Sequence, residues 1–364
     1  MKLALLGDIG QFGRFSVNEN DNLKEYFEDV SNLLSECDVV VGNLETPFSK
    51  NSKPYGAKSA HILSEPENVE ILKFLNISHV NLANNHIFDF GYESYKLTQD
   101  TLSSAGIDYF GVEDKQCFVE KEGLKLAFHG YCSHNTNPQK ITFSGNVGIN
   151  GLDIDIVKKR MKSNHENGFF NILSIHSGQE HVNFPSIDDI NMARAFSEVS
   201  PYVYYGHHPH VIQPVEKFND SVIAYSLGNF CFSDVYTSKS EQPLIKLSEN
   251  NKTGLILLIE MNNLGVVSHE CVPIYMGVNK MEVGTKSTLK DLNGFNSKLK
   301  LTEELYNIMR NNIINQYINS RRELRDFNWY LKRLNFGSIR QVINSKLNIL
   351  KYQKHIKAKL EDNE

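Results

Sequence analysis

The chain has 364 residues, 40% of them hydrophobic and 22% charged, with a formal net charge of −5. That is ordinary for a soluble globular protein and long enough for one large α/β domain with an appendage, or for two domains. No apolar run approaches the roughly 18–20 residues of a membrane span, and no signal-peptide core precedes the first strand, so a cytoplasmic location is expected. Five scattered cysteines without a CxxC pair exclude a disulfide framework and a zinc ribbon. The charge is uneven: from Lys298 onward 14 basic side chains face 7 acidic ones, +7, whereas the preceding residues carry 24 against 36, −12.

In chain order, Leu3-Ala4-Leu5-Leu6 is a short buried strand with Asp8 at its tip. Leu23, Phe27, Val30 and Leu34 keep a helical period over 22–36. A second strand over 38–42 runs into Asn43-Leu44-Glu45, and Ser64 with Glu67 forms a capping box opening a helix through Leu75. A third strand over 79–83 leads into Asn84-Asn85-His86, and a helix over 92–105 precedes strand 107–112. A hairpin follows, 117–120 with 124–130. Helix 153–165 then leads to strand 169–175, which ends at His176. Helix 186–199 leads to strand 202–205 and to Gly206-His207-His208-Pro209-His210. Two further hairpins turn at Asn219-Asp220 and at Asn262-Asn263-Leu264-Gly265, residues that permit positive φ.

Three histidines within four residues are hard to explain as packing. Neutral imidazole is the commonest side-chain metal ligand, and His208 and His210 at a strand end can approach one ion. Asp8, Glu45, Asn85, His176 and His208 all follow apolar strands, and in an α/β sheet the carboxyl ends of strands share the edge where ligands bind. Each alone has a plainer reading as a turn residue or helix cap. Together, five metal-capable groups at five tips point to a metal site.

These residues fall in blocks that resemble the capsule-synthesis CapA family, named for poly-γ-glutamate capsule biosynthesis, within the calcineurin-like metallophosphoesterase superfamily. The blocks are Leu6-Gly7-Asp8, Gly42-Asn43-Leu44-Glu45-Thr46-Pro47, Ala83-Asn84-Asn85-His86 with Asp89 and Gly91, and His176-Ser177-Gly178-Gln179-Glu180. Gly206-His207-His208-Pro209-His210 and Tyr225-Ser226-Leu227-Gly228-Asn229-Phe230 complete the set. The resemblance implies a four-layer αββα sandwich over 1–285, with Asp8, Glu45, Asn85, His176, His208 and His210 as ligands to one or two divalent ions. A mixed nitrogen and oxygen set suits Mn, Fe or Zn, and two such ions would clamp a phosphate and activate water. His86 would be the general acid, with Asp89 either orienting its ring or capping the next helix. Asn84, Glu180 and Asn229 would border the pocket, while Lys58 and Arg14 either bind an anionic small-molecule or polymer substrate or are solvated surface. Two departures stand out: Gly10 occupies the place of the superfamily's usual histidine, and Glu45 that of an aspartate. Both are usual for this branch, but they leave one metal position short of a ligand, which His181 could supply.

The tail reads as a basic helical hairpin over 298–364. Thr302 with Glu303-Glu304 starts a helix carrying the stripe Leu305, Met309, Ile313 and Tyr317; Phe336-Gly337 breaks the pattern, and Ser338 with Gln341 caps the last helix. Its cations fall in two sets, Arg321, Arg322, Arg325, Lys332 and Arg333, then Lys351, Lys354 and Lys357. They form either a solvated face or a docking surface for a polyanion, a membrane or another capsule-pathway enzyme; no specific nucleic acid is expected. Two functions follow: a metal-dependent hydrolase or transferase acting on a phosphoester or amide in surface-polymer synthesis, or a non-catalytic assembly component keeping the site for binding.

Overall fold

Strand Lys2–Ile9 shows how the layers arise. In the computed structural model, which describes all residues except 51, 52, 57, 238, 239, 285, 324–335 and 362–364, Leu3 and Leu5 face one side of this strand and Ala4 and Leu6 the other. All four are fully buried, as expected for a strand covered on both faces. Lys2–Ile9 pairs in parallel with Val39–Leu44, followed by His79–Asn81 and Asp108–Phe110; on its other side lie the antiparallel strands Thr253–Asn262, Gly265–Met276 and Met281–Val283. Asn229–Cys231 adds an eighth strand beside Lys2–Ile9. The second sheet places Leu124–Cys132, Phe170–His176, Tyr202–His207 and Ser221–Ala224 in parallel, with an antiparallel strand at each margin. One of its hairpins turns at Asn219 and Asp220, both at positive φ.

Leu3, Leu5, Val39 and Val41 of the first sheet pack on Leu126, Phe128, Val203 and Tyr205 of the second. The outer face of the first sheet is covered by Val30, Leu34, Leu72 and Leu102 of three helices. The outer face of the second is covered by Val157, Met161, Ile190 and Phe196. This is the four-layer αββα sandwich. In both sheets the parallel strands end at one edge, where Asp8, Glu45, His176 and His207 emerge.

Several local expectations change. The helix expected over 22–36 is broken into Leu23–Tyr26 and Glu28–Ser35 at Phe27, whose ψ of 6° leaves the helical range. Ser64 makes no capping box; its hydroxyl accepts from Asn68 Nδ2 at 3.0 Å, and a 3-10 turn, Pro66–Asn68, precedes helix Val69–Phe74. A capping box does open helix Ile187–Phe196, between Ser186 and Asp189.

The C-terminal helices Glu303–Glu323 and Phe336–Glu361 lie on the second sheet's side. Tyr306, Tyr352 and Ile356 are buried there, with Met309 and Ile313 beside them. Leu305, expected on the packed stripe, is 54% exposed because Tyr306 takes the inward position. Phe336 and Gly337 belong to the last helix's first turn and do not break it. Arg325, Lys332 and Arg333 fall outside the described residues, as do the side chains of Ser338 and Gln341. No helix among the described residues is long and apolar enough to cross a membrane. Ending the chain after Asn296 would uncover the surface beneath Tyr306, Tyr352 and Ile356, and each buried side chain of this kind contributes about 1.5–3 kcal/mol. The truncated protein is expected to melt earlier and to lose solubility; a monomer with unchanged melting would show that these helices add nothing to the core.

Candidate metal centre

Asp8 enters the centre held by neighbours on its own sheet. Asn81 Nδ2 donates to Asn43 Oδ1 at 3.1 Å, and Asn43 Nδ2 donates to Asp8 Oδ1 at 2.8 Å, a buried amide relay that fixes the carboxylate. Gly130 of the facing sheet makes room for it, since a Cβ there would sit 2.1 Å from Asn81 Oδ1. Glu45 is fully buried just past strand Val39–Leu44, and neither carboxylate oxygen has a hydrogen-bond partner among the described residues. Its Oε1 lies 3.8 Å from His86 Nε2 and 3.7 Å from His210 Nε2. Burial, reinforced by Asp8, pushes its carboxyl well above the usual range, with Lys58 pulling the other way.

The second sheet supplies the imidazoles. His176 Nε2 meets Asn85 Oδ1 at 2.9 Å, and its ring centroid is 4.9 Å from that of His208. His208 and His210 adopt φ of 93° and 56°, strained for non-glycine residues at a cost on the order of 1–3 kcal/mol each. That strain turns both rings to the edge, and the His208 amide donates to Asp8 Oδ2 at 3.1 Å. His210 Nδ1 sits 2.9 Å from Asn229 Oδ1, an acceptor that leaves Nε2 free to face Glu45. The Nδ1 atoms of His176 and His208 are buried and unpartnered. Burial keeps both rings neutral, His208 pushed down to about 4, and neutral rings are the form that binds metal.

His86 lies opposite. Its Nδ1 is 2.6 Å from Asp89 Oδ2, so Nε2 is the atom turned to Glu45. Asp89 also accepts from the Ile62 amide at 2.9 Å and from Lys58 Nζ at 2.6 Å, and Lys58 donates to the Asn85 carbonyl at 2.7 Å. Burial works against the Asp89 carboxylate, yet His86 and Lys58 outweigh it and hold its pKa below the ordinary value. Lys58 is thus a buried partner of this pair, with its side chain only 6% exposed. Lys58→Met would leave the Asp89 carboxylate without its cation, an expected loss of about 3–5 kcal/mol in a urea melt. A shift within ~0.5 kcal/mol, the scale of ordinary surface changes, would show that His86 suffices as its partner.

The donors fit divalent cations. Asp8, Glu45 and His210 offer ligand atoms within 4.8 Å of one another, as do Glu180, His208 and His210, so His210 is common to both groups. Burying two carboxylates together with unpartnered imidazole nitrogens is costly unless a cation satisfies them. Residues 2–234 match the family model described as bacterial capsule synthesis protein PGA_cap. The chain belongs to that family. It is 28% identical over 305 residues to the PGA biosynthesis protein CapA of Bacillus subtilis, covering 80% of this chain and 77% of that one. It is also 28% identical over 281 residues to the capsule biosynthesis protein CapA of Bacillus anthracis, covering 72% and 67%. Among solved structures, a putative 5′-nucleotidase from Staphylococcus aureus aligns with a TM-score of 0.47 at 12% identity, over 82% of this chain and 58% of that one.

In this PGA_cap chain Gly10 has a structural reason. A Cβ there would lie 2.6 Å from the Phe232 ring and 2.9 Å from Phe12, and Phe232 packs on His210 at 4.8 Å between centroids. An aromatic ring fills the space a histidine would need. His181 does not take its place: its Nδ1 is held 2.9 Å from Asn251 Nδ2 and its ring lies 5.0 Å from Tyr317.

Of the residues expected to meet substrate, Glu180 and Lys58 line the cavity of about 600 Å³ that also holds Asn85, His86, His208 and His210. Asn229 sits behind His210 and Asn84 is taken up by the backbone, donating to the Leu44 carbonyl and accepting from the His86 and Ile87 amides. Arg14 lies elsewhere, with its guanidinium on the Met276 and Gly277 carbonyls beside a separate cavity. Sequence reasoning passed over His207, fully buried with both ring nitrogens unbonded and Nδ1 3.5 Å from Asp8 Oδ1. Strand alternation could have found it, because Tyr205 two residues earlier faces the inter-sheet core.

Proposed function

We propose that this chain is a metal-dependent hydrolase acting on a phosphoester or amide in the synthesis of a bacterial capsule polymer. The observation that carries the reading is Glu45: a buried carboxylate with both oxygens unpartnered, between Asp8, His210 and His86. Asp8, Glu45, Asn85, His176, His208 and His210 would hold the metal, with Glu180 facing His208 and His210 from the cavity side. Bound there, a divalent ion supplies Lewis acidity and lowers the pKa of water.

The chain's own residues do the rest. Asp89 accepts a hydrogen bond from His86 Nδ1–H, fixing the ring so that Nε2, in the imidazolium form that Asp89 favours against burial, gives its proton to the departing oxygen or nitrogen and leaves the neutral ring. Lys58 keeps Asp89 ionised in its buried position. Asn229 orients His210 through Nδ1. The place in capsule synthesis rests on membership of the PGA_cap family and on the names of the Bacillus relatives. The test is metal content of the purified chain together with turnover of a panel of phosphoesters and glutamyl amides. A metal-free protein inert towards the whole panel after loading with Mn or Zn would refute the reading.

A further inference from the structure

The cavity over the metal centre is not closed by the residues of the family motifs. Its outer wall comes from the C-terminal helices, through Glu303, Asn307 and Arg310 of Glu303–Glu323 and Ile349 and Gln353 of Phe336–Glu361. These helices are fastened to the loop that follows strand Phe170–His176 and to the first turn of helix Ile187–Phe196. Tyr306 Oη donates to the Pro185 carbonyl at 3.0 Å, and Tyr352 Oη donates to Asp189 Oδ1 at 2.7 Å. Asp189 Oδ1 also accepts from Ser177, the residue after His176, at 3.2 Å. The wall is therefore built at a fixed distance from the centre.

Only two Lys or Arg side chains line this cavity among the described residues, Lys58 and Arg310. Lys58 is committed to Asp89 and to the Asn85 carbonyl. Arg310 is not. Its Nε donates to the Phe184 carbonyl at 3.0 Å, which fixes the plane of the guanidinium, and no carboxylate lies within ion-pairing distance of it among the described residues. Of the acids on the same wall, Asp189 already accepts from Ser186, Ser177 and Tyr352, Asp188 is engaged in an interaction of its own, and Glu303 is exposed in the first turn of its helix. A half-buried guanidinium with one edge anchored and the other open is suited to bidentate capture of an oxyanion.

We infer that Arg310 is a specificity-determining residue that binds a second anionic group of the substrate, a carboxylate or phosphate remote from the bond that reacts. This rests on the hydrolase reading of the same cavity. The test is calorimetric, on the full chain loaded with manganese. Plain alkylphosphonates are compared with ω-carboxyalkylphosphonates and alkylene bisphosphonates of two to six carbons, so that the spacing is sampled and the two kinds of second anion are told apart. At least one doubly anionic probe is expected to bind about tenfold more tightly than the plain phosphonate of equal length, the scale of one charge-assisted pair. Arg310→Gln should erase that preference while leaving the plain phosphonate's affinity unchanged and lowering the melting temperature only by the small amount that the lost Phe184 hydrogen bond accounts for, and Arg310→Lys should keep part of the preference. Equal binding of both kinds by the unaltered chain, no binding of either, or a preference that survives Arg310→Gln would overturn the inference. So would an Arg310→Gln protein that melts early and loses all phosphonate binding, since Arg310 would then only hold the wall. Repeating the titrations on protein stripped with a chelator separates the two readings. If plain phosphonate affinity is untouched by metal removal, the metal-dependent reading fails whatever Arg310 does.

Discussion

Purified His210→Ala is expected to emerge nearly free of metal. His210 is the one side chain common to both groups of ligand atoms, so whichever group holds the ion, its loss removes a ligand. Losing an outer partner of a ligand costs about 10–100-fold in metal affinity, and that is the loss expected of Asn229→Ala, which removes the acceptor at His210 Nδ1 together with a hydrogen bond to the Asn251 carbonyl. His210→Ala should exceed it clearly. Elemental analysis after gel filtration measures both, and undiminished metal in His210→Ala would sink the proposed ligand set.

His86→Ala should behave oppositely, keeping its metal and losing turnover. The ring reaches the centre through Nε2, while its other nitrogen is engaged by Asp89. A general acid contributes about 10²–10⁴-fold to rate, and that loss should appear on substrates with poor leaving groups. Nitrophenyl esters, which leave without protonation, should suffer far less. If His86→Ala and Asn85→Ala both lose metal, His86 is a ligand and the assigned roles are wrong.

The strand tips were legible in the sequence because an apolar run followed by Asp, Glu, Asn or His is a local pattern. The layers were legible for the same reason: Leu3 and Leu5 alternate with Ala4 and Leu6. What stayed hidden depends on contacts between distant residues. Phe232 explains Gly10 from more than two hundred residues away, and Asp89 finds Lys58 through a loop with no periodic signature. Arg310 meets the cavity because Tyr306 and Tyr352 fasten their helices to the loop after His176 and to the first turn of helix Ile187–Phe196. The expected stripe gave way only at Leu305, with Met309 and Ile313 in place, for a related reason: a buried tyrosine with a carbonyl to donate to displaces an apolar neighbour.

The residues proposed as ligands are shared equally between the two sheets: Asp8, Glu45 and Asn85 ride on the first, His176, His208 and His210 on the second. An ion bound there is a rivet across the seam between them. The separation of the sheets, set by side chains such as Leu5, Val41, Phe128 and Val203, then acts as a tolerance on every coordination distance. A methyl group added or removed deep in that interior would be felt at the ion as misfit. Conversely, ion binding would clamp the interior and add to the stability of the whole sandwich by mass action, slowing amide exchange along the edge where the strands end.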